Sequence, residues 1–444
     1  MIMKRYIALY KYLVMAALML CVMTACKKDY QDPSGPSLDQ AYSSPQALTD
    51  VAVGLQAWYV KDRIGLIYTT TTSGSLLTGE TFVTNPGNAD EGQLATGGNT
   101  LLNNNVVVTG MWSVTNKIAY EADKVLNKTN SVVADKGFAS GLIAYTSIFK
   151  ALALGVQANY WEQVPDTTSQ PDNQTGAVHF IPAQQGYARA VRTIDNALNT
   201  IAATPIGANF APNIPKGINI VNTLYALKAR YALCAGDYAT ALDAANKVDL
   251  TAAGISTFNF NPQVPNPIFI LVASTSNIYQ VVDSTMGLPV GIQPDLADAR
   301  IPFYISRPPN GKPTKFAIGG FFTTNIQSIP VFLPGEITLI KAECYARMNN
   351  LAQGLTELNK VVTKTPAQDP FGVGASLPPV AVGNIPDLLT QIYRNRRIEM
   401  FMSGQEVEDE RRFGRPVAER KRNFFPYPFV ERNDNTNTPP DPIF

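Results

Sequence analysis

The stretch EITLIKAECYARMNNLAQGLTELNKVVTKTP, residues 336–366, decides the fold of this 444-residue chain. Its apolar residues recur at helical spacing, and small residues stand where two antiparallel helices would have to approach each other closely. An order of small, aromatic, small, large and proline residues is typical of one kind of repeated helix pair. The residues that follow this order are Ala342, Tyr345, Gly354, Leu358, Val361 and Pro366.

A second stretch, NTLYALKARYALCAGDYATALDAANKVDL at 222–250, follows the same plan. The offsets in both stretches match the tetratricopeptide pattern, which predicts helix pairs near 221–250 and 336–366. Because the two pairs are not in tandem, other structure must be inserted between them. Small residues would allow close approach on both sides of the turn at 236–237, namely Ala229, Ala232, Ala241 and Ala245.

Further helices and long loops are predicted along the rest of the chain. Helical periodicity predicts helices near 45–62, 110–129, 138–165 and 183–201, and one more over 387–416. Residues 67–108 have no sustained period, so we expect a long structured loop there. In the insert, 252–334, we expect loop with a few short strands at most. We expect the tail, 424–444, to be irregular and exposed. The predicted fold class is mostly α, a tetratricopeptide-like helical scaffold with long loop-rich insertions.

The composition favours neutral ligands. Only 16% of the residues are charged, against about 25% in typical soluble proteins. The surface must therefore be made polar by Asn, Thr, Ser and Gln, which donate and accept hydrogen bonds without creating a strong field. Such a surface suits sugars, and a net charge of +1 gives no electrostatic footprint for nucleic acid.

The N-terminus has the layout of a secretory signal peptide. Basic residues precede an apolar run of about 14 residues, whereas a membrane-spanning helix needs roughly 20. Cleavage is expected before Cys26, because Met23-Thr24-Ala25-Cys26 resembles the lipobox of bacterial lipoproteins, whose cysteine is acylated. Cys21 is the rival acceptor, and a plain signal peptide with an incidental cysteine is the other alternative. We expect a signal peptide at 1–25, a lipid-anchored tether at 26–45 and a single domain at 46–444.

The remaining cysteines and the single histidine indicate no metal chemistry. Cys234 and Cys344 lie among apolar helical residues, where free buried thiols are expected. One histidine, His179, without a CxxC pair or an HExxH motif, excludes the common zinc patterns. We assign no metal site and no cofactor.

These features together resemble the SusD/RagB family of outer-membrane lipoproteins of Bacteroidetes, over nearly the whole chain. The motif near the last helix carries most of the resemblance, although Ser403 and Glu410 depart from the usual family residues. Lys27, Lys28 and Asp29 are similar to the charged signal that sends such lipoproteins to the cell surface. The matching motif residues are Arg396, Arg397, Glu399, Phe401, Gly404, Asp409, Arg412, Phe413 and Gly414.

The resemblance implies a non-enzymatic binding protein at the cell surface. It would be anchored by lipid in the outer membrane, facing the exterior, above a TonB-dependent, SusC-like transporter. It would capture a glycan or oligosaccharide, possibly a peptide, and deliver it to that transporter. The helical scaffold would face the transporter, and the loop-rich part would bind the ligand.

A sugar site needs aromatic faces and planar polar groups on loops. The resemblance transfers no site residues, since family ligand sites differ from member to member. We expect Trp58, Trp112 and Trp161 to pack in the core, because they lie on or beside apolar helical faces. The candidate ligand-binding residues lie in the predicted loops: Phe82, Asn85, Asn88, Asp90, Asn103, Asn104, Tyr279 and Tyr304, with Asn105 beside them.

Two other functions stay open at this point. A surface-anchored glycan hydrolase would need a pair of carboxylates, but the acidic residues near 400 alternate with arginines at spacings that predict ion pairs within one helix. An interaction scaffold without its own ligand is the second alternative, although it has no need of long Asn-rich loops. The acidic residues concerned are Glu399, Glu406, Glu408, Asp409 and Glu410.

Overall fold

The structure, a computed structural model, describes residues 38–85, 87–167, 178–274, 279–306 and 316–443, together with Met3. It is mostly helical, which confirms the predicted fold class. The predicted signal peptide apart from Met3, and residues 26–37 of the predicted tether with Cys26, lie outside the described residues, whereas residues 38–45 are described and include α1. The helices are α1 (Leu38–Ala41), α2 (Pro45–Val60), α3 (Leu66–Leu77), α4 (Ala89–Thr96), α5 (Val106–Val132), α6 (Lys136–Tyr160), α7 (Ala183–Ala203), α8 (Ile220–Cys234), α9 (Tyr238–Asn246), α10 (Arg300–Tyr304), α11 (Pro334–Arg347), α12 (Leu351–Val362), α13 (Ile385–Glu399), α14 (Glu406–Arg412), α15 (Val417–Arg420) and α16 (Phe429–Asp434).

The described strands are short and form antiparallel pairs. Most of them lie in the insert between the two predicted helix pairs, as expected from its lack of helical period. The pairs are β1 (Thr81–Val83) with β5 (Tyr279–Val281), β2 (Gln163–Pro165) with β3 (Phe180–Pro182), β4 (Thr257–Phe258) with β8 (Ile329–Pro330), and β6 (Ile305–Ser306) with β7 (Ala317–Ile318).

Both predicted tetratricopeptide-like pairs are present, as α8 with α9 and α11 with α12. They are separated in sequence but adjacent in space, because α9 packs on α11. A side chain at Gly354 would press on Leu388 and on the Ala342 carbonyl, at 2.8 and 3.1 Å from its first carbon. The small residue is therefore required where α11, α12 and α13 meet.

Neighbouring helices pack on one another from α5 through α6, α7 and α8 to α9, and so form a continuous array. Asn and Asp side chains cap many helix starts: Asn105 accepts from Val107, and Asp237 accepts from Thr240. Among the described residues, α6 alone is long and apolar enough to cross a membrane, yet 89% of its most apolar window is buried inside the protein. It therefore has the character of a core helix.

The prediction of loops over 67–108 is wrong at α4 and, most instructively, at α3. This helix contains four consecutive threonines, which have weak helix propensity. Every residue of α3 is buried, and the Thr70 hydroxyl donates to the Leu66 carbonyl at 2.6 Å within the helix. Burial on all sides has thus overridden local propensity.

The prediction of one helix over 387–416 is also wrong, because the chain breaks between α13 and α14. Met402 and Gly404 there have φ of 58° and 82°, a left-handed conformation that ends an α-helix. The break lets α14 fold back, so that Arg396 on α13 contacts Asp409 on α14.

The tail is irregular outside α16, as predicted, but it is not exposed throughout. Phe425 and Tyr427 are each 1% exposed. The Phe425 ring packs on Trp161 and the Tyr427 ring on Trp112, with centroids 5.6 and 5.9 Å apart. The tail therefore completes the core beside the end of α6.

Candidate functional site

The strand β1 places Phe82 on the surface. β1 pairs with β5 so that Phe82 lies opposite Gln280 and Thr81 opposite Val281. Side chains alternate along a strand, so Thr81 and Val281 point inward and are buried, while Phe82 is 44% exposed. An aromatic ring is thus held at the surface by a rigid strand.

The helix α4 brings the loop after β1 to the start of α5. The Asp90 carboxylate accepts from the Val106 N–H at 2.9 Å. The Gln93 amide oxygen accepts from the Leu102 N–H at 3.3 Å and from the Asn105 amide at 3.0 Å. These bonds join α4, which follows β1 in the chain, to residues 102–106.

We call this the asparagine surface and define it as Phe82, Asn85, Asn88, Asp90, Asn103 and Asn104. Asn85 and Asn104 are exposed, while Asn88, Asp90 and Asn103 are half-buried. That these six residues act as one ligand site stays a prediction.

Asp90 is the one charged residue of the asparagine surface. The Arg63 guanidinium lies 3.7 Å from it but binds the buried Glu91 more closely, at 2.7 Å, so it offsets the Asp90 charge only in part. Asn105 does not belong to the surface. It is 1% exposed and caps α5, so its role is structural.

Tyr279 and Tyr304 are not surface platforms, which corrects the expectation for these two residues. Both rings are buried, at 0% and 1% exposure. The Tyr279 hydroxyl lies 2.9 Å from that of Thr72, and the Tyr304 hydroxyl donates to the Glu399 carbonyl. Burial raises the pKa of both phenols well above the usual value. They were selected because aromatic residues in an aperiodic insert resemble loop residues.

A cleft of about 480 Å³ adjoins the asparagine surface at Asn103. The tail forms its other wall with Arg422 and Asp441, two residues that sequence analysis did not select. Burial lowers the pKa of Arg422. The Asp441 carboxylate accepts from the Tyr427 N–H at 2.9 Å and from Arg432 at 2.6 Å. No motif marks these two residues, since the tail meets α5 only in the folded chain.

Two of the three tryptophans are core residues, as predicted. Trp112 and Trp161 are 3% and 0% exposed, and their ring centroids lie 4.8 Å apart. Trp58 differs, because it is 38% exposed and lies below the Lys117 ammonium group. Its face is thus occupied by a side chain of the same protein.

The five acidic residues near the last helices are buried, so they form no accessible carboxylate pair. The prediction of ion pairs within one helix is confirmed for Glu408 and Asp409, whereas Glu399 and Glu410 pair with residues of other elements. Arg300 binds Glu399, and Arg412 contacts Glu408, Asp409 and Glu343. Arg397 reaches Glu410 across the break between α13 and α14.

Glu406 forms no ion pair among the described residues. One of its carboxylate oxygens accepts from the N–H groups of Ser403 and Gly404, at 2.6 and 3.1 Å. The described residues also contain no group of three or more His, Cys, Asp or Glu that could hold a metal ion. Cys234 and Cys344 are free thiols, as expected.

The arrangement at the asparagine surface is suited to binding rather than to bond cleavage. An exposed ring can stack on the apolar face of a sugar, and amides can both donate to and accept from its hydroxyls.

No family model matches the chain, and no curated protein matches it. Its likeness to solved structures is extensive, however.

A SusD superfamily protein from Bacteroides thetaiotaomicron VPI-5482 superimposes with a TM-score of 0.70 at 14% identity, over 90% of this chain and 100% of the other. The chain has the SusD fold. A laminarin-binding SusD-like protein gives a TM-score of 0.67 at 14% identity, over 90% and 99% of the two chains. A SusD-like carbohydrate-binding protein from Bacteroides fragilis NCTC 9343 gives 0.67 at 13% identity, over 89% and 99%. At these identities the SusD likeness extends to the fold, and it confirms the predicted architecture.

Proposed function

We propose that the protein binds a glycan or oligosaccharide at the cell surface and delivers it, without cleaving it, to a TonB-dependent, SusC-like outer-membrane transporter. The observation that carries the proposal is the asparagine surface. An exposed aromatic ring and several amides lie there on short rigid elements, next to a cleft large enough for part of a polysaccharide chain.

The charge distribution supports a neutral ligand. Asp90 is the one charged member of the asparagine surface, and it lies beside Arg63. A neutral sugar does not need electrostatic attraction to bind such a surface, whereas a polyanion would find no positive charge there to attract it. Peptide ligands are a less favoured occupant for the same reason, since peptide termini and side chains bring charges.

The related structures support the same ligand class. Two proteins with this fold are described as carbohydrate-binding and laminarin-binding, and neither description names an enzyme. The lipid anchor at Cys26, the position in the outer membrane and the transporter partner rest on the sequence resemblance.

The decisive experiment is a binding screen of residues 27–444 against polysaccharides, oligosaccharides and peptides, with each mixture also assayed for cleavage. We expect binding of at least one glycan without cleavage. Phe82→Ala should weaken that binding about tenfold or more, because it removes the exposed ring. Trp58→Ala is the matched control, since it removes a partly exposed aromatic residue outside the asparagine surface.

The other outcomes separate the alternatives. Cleavage of a glycan by the purified protein would reassign it to the hydrolases. Failure to bind any ligand, together with copurification with an outer-membrane barrel, would favour the scaffold function. Equal losses of affinity in the Phe82 and Trp58 variants would place the site elsewhere.

The anchor is tested separately by fractionation of cells that produce the full chain. Cys26→Ala should release the protein from the membrane fraction, because a lipid chain contributes about 0.8 kcal/mol per buried methylene. Cys21→Ala is the control and should leave the protein in that fraction. Retention of the Cys26 variant would refute the lipoprotein assignment.

A further inference from the structure

A second cavity, of about 100 Å³, lies inside the protein. Its walls come from the helices α2, α3 and α8, from the insert and from the break between α13 and α14. Aromatic rings form much of the lining, among them Phe258 and Phe321. None of the residues of the asparagine surface lines it, so it is a separate feature of the molecule.

Two hydroxyl groups in this cavity have no hydrogen-bond partner among the described residues. Tyr59 is 9% exposed, and its ring contacts Phe149 and Phe258 at centroid distances of 6.3 and 5.2 Å. Besides these ring contacts, Tyr59 interacts electrostatically with Arg230, and its hydroxyl forms no hydrogen bond with the described residues. A hydroxyl that faces a cavity without a protein partner is available to bond with water or with a ligand.

Thr71 is the second case, and its neighbours make it informative. Thr69 and Thr70 donate to carbonyls of their own helix, at 3.2 and 2.6 Å, and Thr72 bonds with Tyr279. Thr71, which is 4% exposed and lines the cavity, has no such bond among the described residues. Thr70 and Thr71 both line the cavity, and Thr71 is the one of the two whose hydroxyl forms no hydrogen bond within its own helix.

An ion pair in the same wall determines what charge the cavity accepts. Arg230 binds Glu336 through two nitrogens, at 2.6 and 2.8 Å, and also donates to the Val331 carbonyl at 2.9 Å. Because the guanidinium is neutralised by this carboxylate, the cavity offers no net charge to an anion or a cation. It offers hydroxyl groups and aromatic faces.

The size and the mouth of the cavity limit the ligand. Gln405 and Ile329 are half-buried and Ser403 is exposed, so the cavity opens to solvent between β8 and the break after α13. A water site needs roughly 10–15 Å³ of such volume, so the cavity has room for several water-sized groups. This is enough for a small polyol or most of one sugar ring and too little for an oligosaccharide.

We propose that this cavity is a binding site for one small neutral polyhydroxy compound, a polyol or a single sugar unit. The hydroxyls of Tyr59 and Thr71 hydrogen-bond to the hydroxyls of this compound, and the rings of Phe258 and Phe321 pack against its C–H groups. The site goes beyond the proposed function, because it takes a single unit inside the protein and not a chain at the asparagine surface.

The test is ligand-observed NMR and thermal unfolding of residues 27–444 with glycerol, xylose and glucose as probes. We expect at least one probe to bind and to raise the melting temperature, since a ligand that binds the native state stabilises it. Tyr59→Phe should weaken this binding about tenfold. Without a probe, Tyr59→Phe should melt at the same or a higher temperature, because it deletes an unpaired hydroxyl.

A pair of threonine variants provides the matched control. Thr71→Val should weaken binding of the same probe. Thr69 does not line the cavity and its hydroxyl donates to the Gly65 carbonyl, so Thr69→Val should keep the affinity within about twofold. If no probe binds at up to about 100 mM, or if Tyr59→Phe and Thr71→Val bind as the wild type does, the proposal is wrong and the cavity holds water only.

Binding in the cavity and binding at the surface are distinguishable by their variants. Phe82→Ala should weaken glycan binding about tenfold or more and leave the single-unit probes unaffected, while Tyr59→Phe should weaken binding of the probes and leave glycan binding unaffected. A protein that binds glucose through Tyr59 but binds no glycan would retain this site and lose the proposed function. A protein that binds a glycan through Phe82 but binds no small probe would lose this site alone.

Discussion

Polar groups differ in charge and in burial between two regions of the molecule, the junction of α13 with α14 and the asparagine surface. At the junction, charged side chains are buried: Arg397 is 2% exposed and binds Glu80, itself 0% exposed, at 3.2 Å. At the asparagine surface the polar groups are mostly uncharged amides, and two of them, Asn85 and Asn104, are exposed. One region conceals charge and the other displays neutral hydrogen-bonding groups.

The difference separates what holds the fold from what can recognise a ligand. Buried ion pairs require fixed geometry, and removal of one partner leaves an uncompensated charge. Arg397 and Arg396 therefore fix the fold-back of α14 onto α13. The exposed amides of the asparagine surface have no buried ionic partner. Substitutions there can therefore change the ligand that is bound without destabilising the fold.

The largest predicted effect is on the junction. Arg397→Ala leaves Glu80 and Glu410 buried without their cation, which should lower the free energy of unfolding by about 3–5 kcal/mol. Urea unfolding at neutral pH measures this change.

Arg432→Ala is the matched control for Arg397→Ala. It breaks an ion pair with Asp441 whose side chains are 29% and 42% exposed, and it should cost less than about 1 kcal/mol. If the two variants lost similar stability, the distinction between buried and surface charge would be wrong for this protein.

The next effect is a pH dependence at Glu406, which faces Glu80, Arg397 and Tyr160. Burial raises the pKa of the Glu406 carboxyl from 4.5 to about 7. The folded state thus binds this proton more tightly than the unfolded state does. Protonation of Glu406 therefore contributes roughly 3 kcal/mol to the free energy of unfolding. This contribution is fully present below about pH 4.5 and is lost as the pH rises through 7.

The Glu406→Gln variant measures that contribution, because glutamine resembles the protonated acid. Its free energy of unfolding should fall less than that of the wild type between pH 5 and pH 8, as measured by urea unfolding at several pH values. Some dependence will persist, since burial also raises the pKa of Glu80 and of Glu410. Asp243→Asn, on an exposed helix face, should follow the wild type; equal slopes in all three proteins would contradict the assignment.

The sequence was sufficient to predict the helical scaffold because its signals are local. Small residues such as Gly354 and Ala342 mark the close approach of helices. Asp237 lies at the end of the turn between α8 and α9 and caps the start of α9. The α3 helix could not be predicted in this way. Its threonines favour other conformations locally, and burial by distant segments overrides that preference.

The candidate site shows the same limit. Asn85, Asn88 and Asp90 are close in sequence, so their common surface follows from one short loop and helix. Tyr279 resembled them in sequence, but pairing with β1 turns its ring inward. Arg422 lies beside Asn103 only because the tail folds back, and no spacing in the sequence encodes that contact.

The smallest predicted effect is that of salt on glycan binding, and it tests the neutral character of the asparagine surface. Exposed charges are screened within about 10 Å at 0.1 M salt and within about 3 Å at 1 M. If amides and the Phe82 ring make the contacts, the glycan affinity should change less than about twofold between these two concentrations, as measured by calorimetry. A marked loss of affinity at high salt would instead assign the binding to Asp90 or to Arg422 in the neighbouring cleft. Recognition would then depend on charge, as the interior does, and the contrast between the two regions would disappear.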